Sequence, residues 1–382
     1  MSNKKDISKE ALALHKKLGG KISVVPAKAV KNRDDLSLIY TPGVGAVSSF
    51  LAKNKKETGK YTMKGKTVAV VSDGSAVLGL GNIGPEGALP VMEGKAVLFK
   101  SLAGVDAFPI VLDTQDAKEI VNTVLRIAPN FGGINLEDIA APKCFDVERE
   151  LKQKLDIPVI HDDQHGTAIV VLAGLINACK VAGKSLKKIS VVVSGAGAAG
   201  TAISNLLLLY GVKDVRVLDS VGLLSASRKD LSAYKLDLAR RTNPKNISGG
   251  MDEAMQNADV FVGVSKPGVL LPKYIKLMNE KPIIFALANP VPEIMPDAAL
   301  AAGAFVIATG RSDFPNQINN ALVFPGLFKG ALKNKVQGIS EKIKVKAAEN
   351  LAKMVKNPKK DKIIPGIFEA GVADAVAKSV KQ

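Results

Sequence analysis

The chain has 382 residues, 47% of them hydrophobic and 4% aromatic, and a formal net charge of +17. This length predicts two or three domains with a sizeable buried core, and no uninterrupted apolar run approaches the roughly 20 residues of a membrane-spanning helix. The charged N-terminal start lacks the apolar core of a signal peptide, so we expect none.

The positive charge is spread along the chain, with local concentrations of lysine at 53–66, 180–188 and 342–362. Few aromatic side chains are available to stack on bases, and no nucleic-acid-binding motif is present. We therefore expect neither a nucleic-acid nor a membrane partner, and interpret the excess as a lysine-rich surface that attracts small anions. Cys144 and Cys179 form no disulfide or zinc pattern, which indicates packed thiols in a reducing cytoplasm.

Strands and helices alternate in the first stretch, residues 1–160. A helix is predicted from residue 8 to 18, where apolar residues recur at helical spacing, and a turn-rich segment follows at 37–47. Apolar runs at 67–73 and 107–113 predict strands, and the amphipathic segment after the second run predicts a helix. This alternation predicts a small parallel sheet.

The second stretch, residues 161–382, begins with the segment 166–184, which predicts a long buried helix that closes at Gly183. Near-continuous apolar runs then predict five strands, at 188–195, 214–219, 258–265, 282–290 and 304–310. Such runs, some separated by helices, are typical of a doubly wound sheet. The fold class is therefore α/β: a Rossmann-type doubly wound domain plus a smaller N-terminal α/β domain. Lys- and Ala-rich helices are predicted beyond Gly330, at positions that the sequence does not determine.

Two glycine-rich loops match the spacing GxGxxG, one at 79–84 and one at 195–200. The second loop directly follows a predicted strand and opens an apolar helix, which is the context of a dinucleotide-binding loop. Its residues are Gly195, Ala196, Gly197, Ala198, Ala199 and Gly200. About 20 residues further on, Asp219 ends the next strand, as expected of a carboxylate that binds the adenine ribose.

An acid at Asp219 favours NAD, because it would repel the 2′-phosphate of NADP. Neither Ser220 nor Val221 offsets that charge. Arg228 or Lys229 would do so if either reached the site, which keeps NADP as the alternative cofactor. The loop at 79–84 has no ribose carboxylate at the required distance, so we interpret it as a tight active-site turn.

Two acidic dipeptides lie in apolar, glycine-rich surroundings: Glu137-Asp138 and Asp162-Asp163. Adjacent carboxylates repel each other near apolar chain, and a hard divalent cation with oxygen ligands, such as Mg²⁺ or Mn²⁺, would neutralise them. The alternative is two solvated acidic turns.

Long segments of the chain resemble malic enzymes in their short bacterial form. The segments, in chain order, are SLIYTPGVG, SDGSAVLGLGNIGPEGALPVMEGKAVLFK, GVDAFPIVLD, FGGINLEDIAAPKCF, HDDQHGTAIV, FALANPVPEI and ATGRSDFPNQINNALVFPG. The resemblance implies metal-dependent oxidation of L-malate by a nicotinamide cofactor, with decarboxylation of the oxaloacetate intermediate to pyruvate and CO₂. We also expect a homodimer.

The resemblance further assigns roles to individual residues. It implies that Glu137, Asp138 and Asp163 are metal ligands, that Lys95 is the general base, and that Tyr40 is the general acid. Asp162 matches an acid that contacts the lysine. Asn289 and Asn320 match substrate-binding asparagines, and Asn289 also lies beside the cofactor.

Each of these residues also has a plain structural interpretation. Alone, Lys95 would be a surface charge, Tyr40 a core aromatic, Asn289 a strand-end turn and Asn320 a helix cap. His161 and His165 flank the acidic pair, but hard-metal chemistry argues against zinc, so we expect them to orient the carboxylates or simply to pack.

One position departs from the longer members of the family, which carry a substrate-binding arginine where this chain has Ala76. The substrate carboxylate then needs another cationic partner. Three alternatives to a malic enzyme stay open: an enzyme that makes lactate while retaining NAD, a nucleic-acid-binding protein on a Rossmann scaffold, and a cofactor sensor that has lost catalysis.

Overall fold

A computed structural model describes residues 7–77 and 79–381 of the chain. Its nine strands are β1 Thr67–Ser72, β2 Asp106–Val111, β3 Gly133–Leu136, β4 Val159–His161, β5 Ser190–Ser194, β6 Asp214–Leu218, β7 Val260–Gly263, β8 Ile283–Ala286 and β9 Val306–Thr309. Its α-helices are α1 Ile7–Leu18, α2 Arg33–Ile39, α3 Gly43–Lys53, α4 Thr58–Tyr61, α5 Gly84–Ala103, α6 Ala117–Ile127, α7 Lys143–Lys154, α8 Asp162–Ala182, α9 Ala198–Tyr210, α10 Ala233–Arg241, α11 Met251–Met255, α12 Pro272–Ile275, α13 Pro296–Ala301, α14 Phe324–Asn334, α15 Glu341–Lys353 and α16 Val372–Ala377.

The strands form two parallel sheets, as the α/β prediction requires. The first sheet has the order β2-β1-β3-β4 and the second has the order β6-β5-β7-β8-β9. Central strands such as β1 and β5 are buried along their whole length, which explains their continuous apolar runs. The prediction of a Rossmann-type doubly wound sheet is confirmed.

Strands β3 and β4 were not predicted as strands, although the small sheet was. They span only four and three residues, and β3 contains the polar Asn135, so neither gives a long apolar signal. Both positions matter because each strand ends directly before an acidic dipeptide.

Helix α8 begins at Asp162, four residues before the predicted start, and its C-cap is Gly183 with φ 71°. The left-handed conformation at this position is the reason for a glycine there. The helix is long and apolar enough to cross a membrane, but most of its length is buried inside the protein, as in the core helix of a globular domain.

The C-terminal helices pack back on α8. Buried Asn177 of α8 donates through Nδ2 to the carbonyls of Ala352 at 2.8 Å and Ile363 at 2.9 Å. Helix α14 carries Phe324 and Phe328, which both stack on Phe99 of α5. The C-terminal part of the chain therefore joins the two sheets into one core.

The N-terminal segment, defined here as residues 7–66, contrasts with this core because none of its residues is buried. Of 27 large hydrophobic side chains that are exposed in the described chain, 17 lie between Ile7 and Met63. The helix predicted at 8–18 is confirmed as α1, but its apolar residues Leu12, Leu14 and Leu18 remain more than half exposed. The stripe that we detected in the sequence is therefore not covered by the described residues of the chain.

Candidate active site

The two acidic dipeptides meet at one edge of the first sheet. Glu137 and Asp138 follow β3, and Asp162 and Asp163 follow β4, which pairs with β3 in parallel. Because the carboxyl ends of neighbouring parallel strands lie side by side, residues 25 positions apart come together. The backbone N–H of Asp138 donates to Oδ2 of Asp163 over 2.8 Å. The alternative of two separate solvated turns is wrong.

Three of these carboxylates fit a divalent cation. One oxygen from each of Glu137, Asp138 and Asp163 lies within 4.8 Å of the others, and the first two residues are buried while Asp163 is partly exposed. An all-oxygen donor set with one open side suits Mg²⁺ or Mn²⁺ and leaves positions for water or substrate. Neither His161 nor His165 belongs to this group of ligand atoms.

Lys95 lies in the middle of α5 and reaches into this cluster. Its side chain is 8% exposed, and Nζ donates to Oε1 of Glu137 and to Oδ2 of Asp162, each over 2.6 Å. The ammonium also lies 4.3 Å from the ring centroid of Phe324. The interpretation of Lys95 as a surface charge is therefore wrong.

The cluster holds more negative charge than one lysine balances. Burial opposes the charge on Lys95, yet Asp162, Glu137 and Asp163 together raise its pKa above the usual range. Burial first, and then the neighbouring carboxylates, also raise the pKa of Glu137 despite the nearby ammonium. The neighbouring carboxylates contribute to both shifts, and a bound divalent cation would offset their negative charge.

Asp73, which the sequence analysis missed, supports the loop that carries the carboxylates. It is fully buried at the end of β1, and its Oδ1 accepts from the N–H and hydroxyl of Ser75. The Ser75 hydroxyl in turn accepts from Ala140 N over 2.9 Å, and Ala76 N donates to the carbonyl of Asp138. An acid directly after a buried strand was the signal that could have identified Asp73.

His161 and His165 have different positions, and both are close to the acidic pair. His161 is fully buried, with Nδ1 3.9 Å from Oδ2 of Asp163. His165 Nε2 lies 2.9 Å from Oε2 of Glu148, and Oε1 of Glu148 accepts from the N–H of His161. Glu148, also missed in the sequence, thus ties both residues to helix α7 and fixes the start of α8.

The loop at 195–200 has the geometry of a dinucleotide cradle. It joins β5 to α9, as predicted, and a Cβ at Gly195 or Gly200 would approach a backbone oxygen to 2.6 Å or 1.7 Å. A Cβ at Gly197 would meet no protein atom within 4 Å. The first and last glycines therefore allow close packing, while the middle one faces open space where a pyrophosphate would approach the helix N-terminus.

Asp219 directly follows β6, but it does not stand alone. Its carboxylate accepts from Arg228 Nη1 at 2.9 Å and from Lys235 Nζ at 2.7 Å. Burial raises the pKa of the Asp219 carboxyl. The two cations and the N–H groups of Val221 and Gly222 outweigh this effect and hold the pKa below the usual range. Arg228 reaches the site as considered, whereas Lys235 was missed because it lies 16 residues away in the sequence.

The two asparagines lie at the cleft between the sheets. Asn289 follows β8, and a Cβ at Gly79 would come within 2.0 Å of its carbonyl oxygen, so the glycine turn at 79–84 packs against it. A Cβ at Gly166, next to Asp162 on α8, would lie 3.1 Å from Cβ of Asn320. Asn320 therefore lies near Asp162, which contacts Lys95, and Asn289 lies against the glycine turn.

Unlike Lys95 and Asp162, the predicted catalytic residue Tyr40 makes no hydrogen bond to the described residues of the cluster. It follows α2 in the N-terminal segment, is 66% exposed, and its hydroxyl bonds to none of the described residues. The interpretation as a core aromatic is wrong as well. Ala76 borders the carboxylate loop through its backbone and offers no charge to a substrate.

Comparison with known proteins agrees with this arrangement. Residues 19–152 match the family profile "Malic enzyme, N-terminal domain", and residues 164–382 match "Malic enzyme, NAD binding domain". The chain is 53% identical over 377 residues to a bifunctional malic/malolactic enzyme of Bacillus subtilis, covering 98% of this chain and 92% of that protein. It is 50% identical to an NAD-dependent malic enzyme of Geobacillus stearothermophilus, covering 98% and 78%.

The fold comparison gives the same result. The crystal structure of an NAD-dependent malic enzyme from Thermotoga maritima superposes with a TM-score of 0.94 at 50% identity, covering 97% of this chain and 98% of that one. Relatives with NADP-dependent names also match, at 44% identity for one from Halomonas elongata. The chain belongs to the malic enzyme family, whose reaction is the oxidative decarboxylation of malate with a nicotinamide cofactor.

Proposed function

We propose that this malic enzyme oxidises L-malate with NAD at the cleft around Lys95, and that Lys95 acts as the general base. The observation that carries the proposal is the contact of one buried ammonium with Asp162 and Glu137 beside a three-carboxylate group. Oxidation at C2 of malate requires removal of the hydroxyl proton as a hydride leaves C2. A lysine amine within this cleft can accept that proton.

Lys95 must be neutral to act as a base. Its contact with Glu137 raises its pKa, so engagement of Glu137 as a metal ligand weakens the interaction that keeps the proton on Nζ. Asp162 favours the charged form, and its contact positions the amine. A divalent cation held by Glu137, Asp138 and Asp163 would polarise the C2 oxygen as a Lewis acid, while NAD at the loop 195–200 supplies the hydride acceptor.

The later steps need an acid. Loss of CO₂ breaks the C3–C4 bond of oxaloacetate and leaves an enol whose C3 must receive a proton. We propose that the phenol of Tyr40 donates it, and that Asn289 and Asn320 hold the substrate, Asn289 also contacting the cofactor. Support comes from the position of Asn320 near Asp162 and of Asn289 against the glycine turn 79–84.

For cofactor choice, we propose a preference for NAD with residual use of NADP. Asp219 is placed to accept from the ribose hydroxyls. The cations Arg228 and Lys235 reduce its repulsion of a 2′-phosphate, since both contact its carboxylate. The discrimination should therefore be smaller than an isolated aspartate would give.

We propose that the enzyme is a homodimer, with the N-terminal segment as the interface. The 17 exposed side chains of this segment present on the order of 1,500 Å² of apolar surface. This exceeds the roughly 800 Å² per partner of a standard interface, and a patch above a few hundred Å² is unusual for a monomer. A second copy is the occupant that the apolar character favours, since the core of a homodimer interface is depleted of charge.

The same segment carries Tyr40, so the dimer would also complete the active site. An exposed catalytic acid cannot act at a buried lysine unless the two come together. Docking of the segment on a second copy would bring Tyr40 of one subunit to the cleft around Lys95 of the other. Light scattering should give twice the mass of the chain, and Leu38→Asp, beside Tyr40, should shift the enzyme towards the monomer.

We place the substrate and metal part at 1–160 and the NAD-binding part, with the C-terminal helices, at 161–382. Asp163 is then a metal ligand from the second part, since β4 crosses the boundary and α8 begins directly after it. We also propose a cytoplasmic location, supported by the free and buried thiols of Cys144 and Cys179.

The test of the proposed function measures NADH and pyruvate together. Purified protein with L-malate, Mn²⁺ and NAD should produce the two in equal amounts, and EDTA should abolish both. NADH without pyruvate would show a dehydrogenase that does not decarboxylate. No reduction of either NAD or NADP would overturn the proposal.

The Bacillus subtilis relative favours a second activity, because its name includes malolactic enzyme. In that reaction NADH stays bound and reduces pyruvate, so lactate forms with no net change in NADH. An assay for lactate under the same conditions distinguishes the two activities.

A further inference from the structure

A cavity of about 260 Å³ lies between α8, α9 and α15, next to the end of α10. Its walls include no residue of the cluster around Lys95 and none of the glycine loop 195–200. The cavity is therefore separate from the proposed malate and NAD sites.

Positive and donor groups gather on one side of this cavity. Lys344 is 3% exposed, and its Nζ lies 2.9 Å from Nδ1 of His165 and 2.6 Å from Oε1 of Glu341. Arg241 lines the cavity and donates to Oδ1 of Asn205 over 2.7 Å. Arg241 also pairs with Asp237, as Lys344 does with Glu341, and both carboxylates are more than half exposed.

An unsatisfied donor also lines the cavity. Gln164 is 5% exposed, and its amide Nε2 has no hydrogen-bond partner among the described residues. A buried amide without a partner costs free energy, which an acceptor in the cavity would recover. Glu341, which accepts from Lys344, is 59% exposed. Its carboxylate can therefore leave Lys344 and move into solvent at little cost.

We propose that this cavity binds a small oxyanion, a carboxylate or a phosphate, held by Lys344, Arg241 and the amide of Gln164. The anion replaces Glu341 as the partner of Lys344. Two cations and one N–H donor match the charge and the acceptor-only oxygens of such a ligand. The volume suits a small anion and not a dinucleotide, since drug-sized ligands occupy pockets of roughly 300 Å³ or more.

The cavity is connected to the metal ligands by a chain of hydrogen bonds. An ammonium can only donate, so Nδ1 of His165 accepts from Lys344, and Nε2 of His165 carries the proton that it donates to Glu148. The other oxygen of Glu148 accepts from the backbone N–H of His161, two residues before Asp163. An anion that draws Lys344 away from His165 therefore alters the support of the metal-binding turn, which makes the site regulatory.

The binding test is calorimetric titration of the full-length enzyme with inorganic phosphate and, separately, with acetate. Saturating NAD occupies the pyrophosphate site, and EDTA removes cations to which the anions could bind. We expect one anion per chain, and the tighter of the two probes identifies the ligand class. Arg241→Gln should weaken binding about tenfold through loss of a charge-assisted contact, whereas the neighbouring Arg240→Gln, outside the cavity, should not.

Glu341→Gln gives a test in the opposite direction and does not require removal of a buried side chain. Because the exposed glutamate competes for Lys344, this variant should bind the anion more tightly than the wild type. Equal affinities in the wild type, Arg241→Gln and Glu341→Gln would overturn the proposal, as would no binding of either probe.

Coupling to the metal site has a separate readout. If the anion and the metal are linked, the dissociation constant of Mn²⁺, measured by electron paramagnetic resonance, should change when acetate is saturating. At an acetate concentration near the wild-type dissociation constant, where a site weakened about tenfold is mostly empty, the change should be much smaller in Arg241→Gln. An identical shift in that variant would assign the effect to acetate at the metal and contradict a regulatory role for the cavity.

Discussion

The cluster around Lys95 and the N-terminal segment 7–66 are built in opposite ways. In the cluster, Lys95, Glu137, Asp138 and Asp162 are all buried, and each is placed by a strand end or a helix of the same chain. In the segment no residue is buried, and its apolar side chains face away from the core. One chain therefore completes the base and the metal ligands, whereas the proposed acid, Tyr40, depends on a surface that needs a partner.

The largest effect is expected at Lys95, on the buried side of this comparison. Lys95→Met removes the general base, so malate-dependent NADH formation should fall about 10³-fold or more. Lys100→Met on the same helix is the matched control, because Lys100 is 64% exposed and pairs only with Asp106. Retained Mn²⁺ binding would show that the variant is folded. A variant with more than a tenth of the wild-type rate would exclude Lys95 as the base.

A smaller loss is expected at Tyr40. Tyr40→Phe keeps the ring but removes the proton donor, so pyruvate formation from malate should slow about 10²-fold. Decarboxylation of added oxaloacetate should be impaired as well, because it uses the same protonation of C3. Tyr61→Phe, an exposed tyrosine of the same segment, is the control and should behave like the wild type. Equal rates for the two variants would remove Tyr40 from the mechanism.

The cluster around Lys95 and the N-terminal segment differ in how far the sequence predicts them. The acidic dipeptides, Lys95 and the loop 195–200 were found because their chemistry is local and their segments are continuous. Glu148 and Lys235 were missed because their partners are distant in the chain, and Asp73 was missed although it directly follows a buried strand. Strands β3 and β4 were missed because they are too short to give an apolar period, although they bring the carboxylates together.

The N-terminal helix shows a different limit. Its apolar period predicted α1 correctly, but a period only indicates that one face is covered, and it does not say by what. Among the described residues, none covers the apolar face of α1.

Metal binding tests the buried side independently of turnover. Asp163→Asn removes one of three ligand carboxylates, and the affinity for Mn²⁺ should fall at least about tenfold, since changes even to outer partners cost that much. Asp156→Asn, an exposed acid seven residues earlier, should leave the affinity unchanged. Undiminished Mn²⁺ affinity in Asp163→Asn would contradict the assignment of this ligand.

Cofactor choice should respond more weakly. Asp219→Ser removes the carboxylate and leaves Lys235 unpaired, while Arg228 keeps Asp230 as a partner. The ratio of NAD to NADP efficiency should therefore fall several-fold, because the ribose loses a charge-assisted acceptor. Lys235→Met should move the ratio in the other direction. An unchanged ratio in both variants would mean that the carboxylate and its two cations do not read the ribose.

The smallest expected effect is on the pH dependence of the stability of the fold. The pKa of Asp219 is lowered in the folded chain because, against the opposing effect of burial, Arg228, Lys235 and two backbone N–H groups bond to the ionised carboxylate. A lowered pKa stabilises the fold above the unfolded value of about 3.9 and loses that effect as pH falls. In thermal unfolding, Asp219→Asn should therefore be less stable than the wild type at pH 7, and the difference should narrow towards pH 3. A difference that is constant with pH would assign it to packing.

The most direct test of the central claim, that each active site combines Lys95 of one subunit with Tyr40 of the other, is the activity of a heterodimer. Lys95→Met and Tyr40→Phe chains, carrying different affinity tags, are coexpressed and the mixed dimer is purified through both tags. The account predicts about half of the wild-type rate, because one site of the mixed dimer contains both intact residues. A mixed dimer as inactive as its two parents would contradict the claim and place Tyr40 and Lys95 in the same chain's site.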